Sequence, residues 1–195
     1  MVKINGIILA SGFSKRMGEN KLLMSFGEET ILQRVIREIK KSNISNLVLV
    51  AREESVINLG IEEGIKVVKN EFADFGQSQS IRLGLEKVDG VNNIMFFCGD
   101  QPFIDYYSIN KLIDYSLMFK DSIIIPRVKG EIGSPVIFPR FFKAELEALK
   151  GDNGGRKVIK DNKYKVKYVD LYNELFLQDI DTLKDYRKFI NKKIK

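Results

Sequence analysis

Short apolar runs recur along this 195-residue chain, each followed by a segment with a helical stripe, and that alternation restricts the fold more than any other feature. Ile4 to Leu9 form a nearly continuous apolar run, the pattern of a strand covered on both faces. The runs Leu47-Val48-Leu49-Val50, Lys66-Val67-Val68, Ile94-Met95-Phe96-Phe97-Cys98 and Ser122-Ile123-Ile124-Ile125 repeat it. Thr30 and Gln33 are spaced as a capping box, and Ile31, Leu32, Val35, Ile36 and Ile39 then line one side of a helix. Further stripes are Ile81, Leu85 and Val88; Ile109, Leu112, Ile113 and Leu117 after Asp105; Phe142, Leu146 and Leu149; and Leu183, Tyr186 and Ile190. Strands alternating with helices of this length predict an α/β fold, a mostly parallel sheet with helices on both faces. The length favours one domain over residues 1–195.

Composition narrows the classes. With 44% hydrophobic and 30% charged residues the chain reads as an ordinary soluble globular protein. No apolar run approaches the roughly 18 residues a membrane span needs, and the chain starts directly with a strand, so the expected location is the cytoplasm. Cys98 is the one cysteine and sits in an apolar run, which predicts a buried, reduced thiol rather than a nucleophile or metal ligand. A net charge of +6 suits anionic ligands but is too dispersed to require nucleic acid. The chain has no histidine, which removes the usual general base and the usual metal ligand together.

The first strand runs straight into Ser11-Gly12-Phe13-Ser14-Lys15-Arg16-Met17-Gly18-Glu19-Asn20-Lys21, where Gly12 and Gly18 allow positive φ and close approach of a ligand while three cations and two hydroxyls follow. That is the composition of a phosphate cradle or, blandly, of a solvated basic turn. Counting excludes two familiar cradles. Five residues rather than four separate the glycines and Lys21 comes three residues later, so it is no Walker A loop; G-x-G-x-x-G is absent too.

The stretch resembles the signature L-A-x-G-x-S-x-R-M-G-x-x-K of small nucleotidyltransferases, which take a nucleoside triphosphate and release pyrophosphate. The resemblance implies that Leu9, Ala10, Ser11 and Gly12 cradle the nucleotide and that Arg16 and Lys21 neutralise its phosphates. It implies a single Rossmann-like three-layer α/β/α domain whose mostly parallel sheet includes an antiparallel strand. Gly76-Gln77-Ser78-Gln79-Ser80 is similar to a second hallmark, near the nucleobase, and makes Gln77, Ser78 and Ser80 base-reading candidates; on composition alone these serines cap a helix. Gly99-Asp100-Gln101-Pro102 looks like the family's metal-binding aspartate after a strand, with an Asp-Gln-Pro turn as the bland reading.

Three later segments extend the likeness. Gly133-Ser134-Pro135-Val136 is similar to G-x-P-V-x-F, with Ser134 where related chains often carry histidine. Gly151-Asp152-Asn153-Gly154-Gly155-Arg156 matches G-D-x-G-x-R, which implies acceptor-side roles for Gly133, Pro135, Asp152 and Arg156, although a Gly- and Asp-rich loop also serves as a C-cap. Asp179-Ile180-Asp181-Thr182 suggests a second acidic Mg²⁺ ligand, Asp181 in preference to Asp179, or only a helix N-cap. Taken together the motifs look most like the molybdenum cofactor cytidylyltransferases, with Ser11 and Asn20 where guanylyltransferase relatives carry glycine and aspartate. The implied reaction joins CMP from CTP to the molybdopterin phosphate, with Arg16, Lys21 and Asp100 catalytic and Mg²⁺ on Asp100 and Asp181. An apo molybdenum hydroxylase is an expected recipient; nucleic acid and membrane are not expected partners. The alternatives are guanylyl transfer, a different phosphorylated acceptor, or a non-catalytic carrier of the cofactor.

Overall fold

The computed structural model describes residues 3–13 and 20–193. In chain order its elements are β1 (Ile4–Ala10), β2 (Ser25–Phe26), β3 (Glu29–Thr30), α1 (Ile31–Lys40), β4 (Asn46–Ala51), α2 (Glu54–Glu62), β5 (Lys66–Lys69), α3 (Gln77–Lys87), β6 (Asn93–Cys98), α4 (Tyr106–Met118), β7 (Ile123–Val128), β8 (Glu131–Ile132), β9 (Val136–Phe138), α5 (Lys143–Glu147), α6 (Gly155–Asp161), β10 (Val166–Asp170) and α7 (Leu183–Lys193). Each apolar run of the sequence has become a strand. The main sheet runs β10-β7-β9-β6-β1-β4-β5, and β8 pairs with the flank of β7. β1 lies between β4 and β6, parallel to both, with Ile7 opposite Val48 and Ile8 opposite Phe97. β9 is antiparallel to β6 and β7, and short β8 is antiparallel to β7; the other pairings of the main sheet are parallel.

Side chains on successive strand residues point to opposite faces. Ile4, Ile8 and Ala10 therefore join Leu32, Val35, Ile36, Val56, Ile109 and Leu112, so α1, α2 and α4 cover one face. Ile7 joins Val48, Val50, Ile81, Leu85, Leu146 and Val158, so α3, α5 and α6 cover the other. These are the three layers. Each fully buried aliphatic side chain in them contributes about 1.5–3 kcal/mol.

The helix starts follow local chemistry. The Gln33 amide N–H donates to Thr30 Oγ1 (3.2 Å) and the Thr30 N–H to Gln33 Oε1 (2.9 Å), closing the capping box of α1. Asp105 caps α4 by accepting from the Ser108 N–H at 2.8 Å. The last helix follows the sequence reading at Tyr186, which packs on the core, and departs from it at Leu183, while the Ile190 side chain lies outside what the structure describes. Leu183 is 37% exposed, because it opens α7 a turn before the helix meets the core, and Phe189 supplies the buried contact, against Phe26, Ile31 and Ile180. β10 and α6 were not expected from the sequence. Lys and Tyr at neighbouring positions of β10 leave only Val169 fully buried, as on an edge strand, so the strand lacks an apolar signature.

Candidate active site

In an open parallel sheet, ligands bind beyond the carboxyl ends of the strands. The ends of β1 and β6 are tied together there by the Gly99 N–H, which donates to the Leu9 carbonyl at 3.2 Å. A cavity of about 520 Å³ opens over them, floored by Leu9, Ala10, Ser11, Gly12, Cys98 and Gly99. Gly12 does not use a left-handed φ; a Cβ there would meet nothing within 4 Å, so the glycine keeps open space in the cavity rather than making a turn.

One wall is charged. The Lys21 ammonium lies 2.6 Å from Asp100 Oδ2 and 2.7 Å from Asp181 Oδ1. Asn20 sets Lys21 in place: its Oδ1 accepts from the Leu22 N–H at 3.0 Å and starts the turn Lys21–Leu23, while its amide donates to Glu53 Oε2 at 2.7 Å. An aspartate at position 20 would oppose Glu53 with a like charge, so the contact with Glu53 favours an asparagine there. Asp181 reaches the same place because the Ile180 N–H donates to the Asp100 carbonyl at 3.0 Å. Burial works against the Lys21 ammonium, but the charges and hydrogen bonds of Asp100 and Asp181 outweigh it and hold its pKa above the ordinary value. Partial burial, then repulsion from Asp181 and Asp100, pushes the Asp179 carboxyl up. Asp181 lines the cavity and Asp179 does not.

A second wall comes from the start of α3 and the loop before α6. The Ser78 N–H donates to the Gly151 carbonyl at 3.1 Å, joining the two segments. Gly76 has φ +85°, and a Cβ on it would stand 2.4 Å from the Gly151 carbonyl carbon and 2.5 Å from Asp152 Oδ1. Only glycine fits there. Gln77, Ser80, Ala73 and Asp152 face the cavity; Ser78 is buried and does not. Two hydroxyls singled out from sequence are already engaged: Ser11 Oγ donates to the Val50 carbonyl (3.2 Å) and Ser80 Oγ accepts from the Asn70 amide (3.0 Å).

Arg16 falls outside the described residues, as do Ser14, Lys15 and Gly18. Gly133 packs on Leu177, whose Cδ2 would be 3.2 Å from an added Cβ, and Pro135 is buried behind it. Arg156 is exposed on α6, and none of Gly133, Pro135 and Arg156 lines the cavity. The sequence reading treated Cys98 as core, yet it lines the cavity floor. Its thiol donates to Ser134 Oγ at 3.5 Å, and burial, reinforced by the Asp100 charge, pushes its pKa up to about 12. Its place beside Gly99-Asp100 was the available signal. Ala73 had none beyond its nearness to Gly76.

Among the described residues no group of three or more acidic, histidine or cysteine side chains gathers to hold a metal. The carboxylates of Asp100 and Asp181 do converge, on the Lys21 ammonium. Two carboxylates completed by substrate phosphates are the donor set a hard divalent cation such as Mg²⁺ takes, so the residues present fit one.

No helix among the described residues is long and apolar enough to cross a membrane. Comparison with known proteins matches residues 6–167 to the model of the MobA-like NTP transferase domain. The purine catabolism protein PucB of Bacillus subtilis is 26% identical over 193 residues, covering 93% of both chains. A probable molybdenum cofactor guanylyltransferase of Pelotomaculum thermopropionicum is 31% identical over 104 residues, 53% of this chain and 48% of that protein. Among solved structures, Rv0371c from Mycobacterium tuberculosis superposes with a TM-score of 0.83 at 25% identity, covering 97% of this chain and 98% of the other.

Proposed function

Because this chain belongs to the family of MobA-like NTP transferase domains and is a nucleotidyltransferase, we propose that it transfers CMP from CTP to the phosphate of molybdopterin-type molybdenum cofactor, releasing pyrophosphate. The observation that carries the reading is the convergence of Lys21, Asp100 and Asp181 over the glycine-containing end of β1, in one cavity with Gln77 and Ser80. That is a phosphate and cation wall joined to a wall able to read a heterocycle.

The chemistry suits a chain without histidine. A phosphate monoester is already an anion at neutral pH, so its oxygen attacks the α-phosphorus of CTP without a general base. The new P–O bond forms as the bond from the α-phosphorus to the bridging oxygen breaks, and pyrophosphate leaves with that electron pair. Positioning and charge neutralisation supply the rest, as in other phosphoryl-type transfers. Lys21 carries positive charge to the α-phosphate and Arg16 to the departing pyrophosphate. Asp100 and Asp181 would hold a divalent cation, which would supply further positive charge to the phosphate oxygens. Ser11, through the Val50 carbonyl, and Ser80, through the Asn70 side chain, brace the two sides of the cavity.

The reading is tested by pyrophosphate release with each of the four ribonucleoside triphosphates and Mg²⁺, with and without molybdenum cofactor taken from a donor protein. Release with CTP that depends on the cofactor is expected. The relative whose name is molybdenum cofactor guanylyltransferase favours a second reading, with GTP as donor, and release with GTP alone would establish that one. No release with any nucleotide plus the cofactor would remove this acceptor.

A further inference from the structure

The resemblance to known nucleotidyltransferases implies that Asp152 serves the acceptor half of the site, yet its carboxylate faces the cavity beside Gln77 and rests on Gly76, at the start of α3. The loop carrying it is clamped. The Ser78 N–H holds the Gly151 carbonyl at 3.1 Å, and the space a Gly154 side chain would need is filled by the Gln77 amide. Asp152 forms no ion pair within 4.0 Å with any cation of the described residues, whereas Asp100 and Asp181 share Lys21. Among the described residues the Asp152 wall offers a phosphate only a carboxylate, whereas the Lys21 wall offers an ammonium and, in Asp100 and Asp181, the donors for a divalent cation, so we assign the triphosphate to the Lys21 wall and leave the Asp152 wall for the base.

We propose that the Asp152 carboxylate, clamped beside Gln77 in the cavity wall, accepts a hydrogen bond from the exocyclic amino group of the nucleobase, admitting cytosine and rejecting uracil. The inference rests on the cytidylyl reading above and adds the residue that enforces it. An ionised carboxylate has lone pairs only, while an amide both donates and accepts. Cytosine presents its 4-amino group to such an acceptor. Uracil presents a carbonyl oxygen at the same position, which leaves two acceptors facing each other and the carboxylate unpaired. Gln77, held against Gly154, supplies the donor for the 2-carbonyl that both bases share.

The test is direct binding of CTP and UTP to the full chain in the presence of Mg²⁺, by calorimetry, with wild type, Asp152→Asn and Asp152→Ser. Wild type should prefer CTP by about 10²-fold, the order of penalty for leaving one acceptor facing another in a site still open to water. Asn and Ser both donate as well as accept, so in each variant the preference should fall to a few-fold, UTP gaining while CTP loses. Asp152 is exposed and carries no core contact, so the melting temperature should not move, and the two variants check each other. An unchanged preference in both variants overturns the assignment. So does intact discrimination accompanied by weakened binding of molybdenum cofactor, which would return Asp152 to the acceptor half. Collapse of the preference in a chain that transfers nothing to molybdenum cofactor supports the inference and removes only the acceptor. A wild-type chain that binds no CTP contradicts the cytidylyl reading itself, and the inference falls with it.

Discussion

Replacing Lys21 with Met removes the one described cation in contact with Asp100 and Asp181 while keeping a side chain of similar length. The exposures decide the magnitude: the Lys21 side chain is 14% exposed and Asp100 22%, but Asp181 is 49% exposed. The half-exposed Asp181 arm is worth about 0–1 kcal/mol. The Asp100 arm is more buried, yet open enough to water to fall short of the roughly 3–5 kcal/mol for breaking a fully buried pair. A total loss of about 2 kcal/mol follows, which for a chain of this length lowers the melting temperature by about 4–8 °C. Because the Lys21 pKa is raised, its contribution is fully present below the ordinary value of 10.5 and is lost only as pH rises beyond it. The difference between wild type and variant should therefore stay constant through neutral and mildly alkaline pH. The bared carboxylates should also bind Mn²⁺ or Mg²⁺ better without nucleotide, since no ammonium competes for their oxygens, so the cation should raise the melting temperature of the variant more than that of wild type. Turnover should fall by about 10²-fold or more, as when one preorganised charge is removed from a transition state. Calorimetric melting with and without Mn²⁺, across pH, reads these effects. A variant that melts like wild type and gains no more from Mn²⁺ would refute the account of this wall.

Three further outcomes are expected. Gly76→Ala places a side chain at φ +85° and against the Gly151 backbone, so it should cost about 1–3 kcal/mol in strain and weaken nucleotide binding by displacing the Asp152 loop, as calorimetry would show. Cys98, with its pKa pushed from 9.0 to about 12, should be alkylated by iodoacetamide about 10–10²-fold more slowly than an ordinary thiol at neutral pH, the smaller thiolate fraction being partly offset by a more nucleophilic thiolate, with a rate still climbing above pH 10; a plateau near pH 9 would contradict the shift. Thr30→Ala opens the capping box of α1 and should lower stability by about 1 kcal/mol in urea titrations without changing nucleotide affinity.

Much of the fold was legible because burial on both faces writes itself as an unbroken apolar run. Ile4–Ala10, Asn46–Ala51 and Asn93–Cys98 are the central strands and carried that signal. β10 did not, because an edge strand with Lys167 and Tyr168 turned to solvent has no periodic stripe to read. Leu183 misled for a related reason: a helical stripe does not say where along the helix the core begins. In the site, Lys21 could be anticipated from the family signature it completes, and Asp100 both from its motif and because it follows a strand whose end opens on the cavity. Ser78 and Asp152 could not be sorted the same way. Which side of a helix start faces a ligand depends on the contact between Ser78 and Gly151, and these are far apart in the chain. Asp181 and Asp179 could not be told apart by position alone; the Ile180–Asp100 hydrogen bond accompanies Asp181 turned toward Lys21 and Asp179 off the cavity lining.

The central claim is nucleotidyl transfer to a phosphate, and following the α-phosphorus tests it most directly. With CTP labelled at that position, Mg²⁺ and molybdenum cofactor, the label should move to a product from which a pyrophosphatase-type phosphodiesterase liberates labelled CMP, one pyrophosphate appearing for each label transferred. Label that stays in CTP, or is released as free CMP without a joined product, would contradict the account.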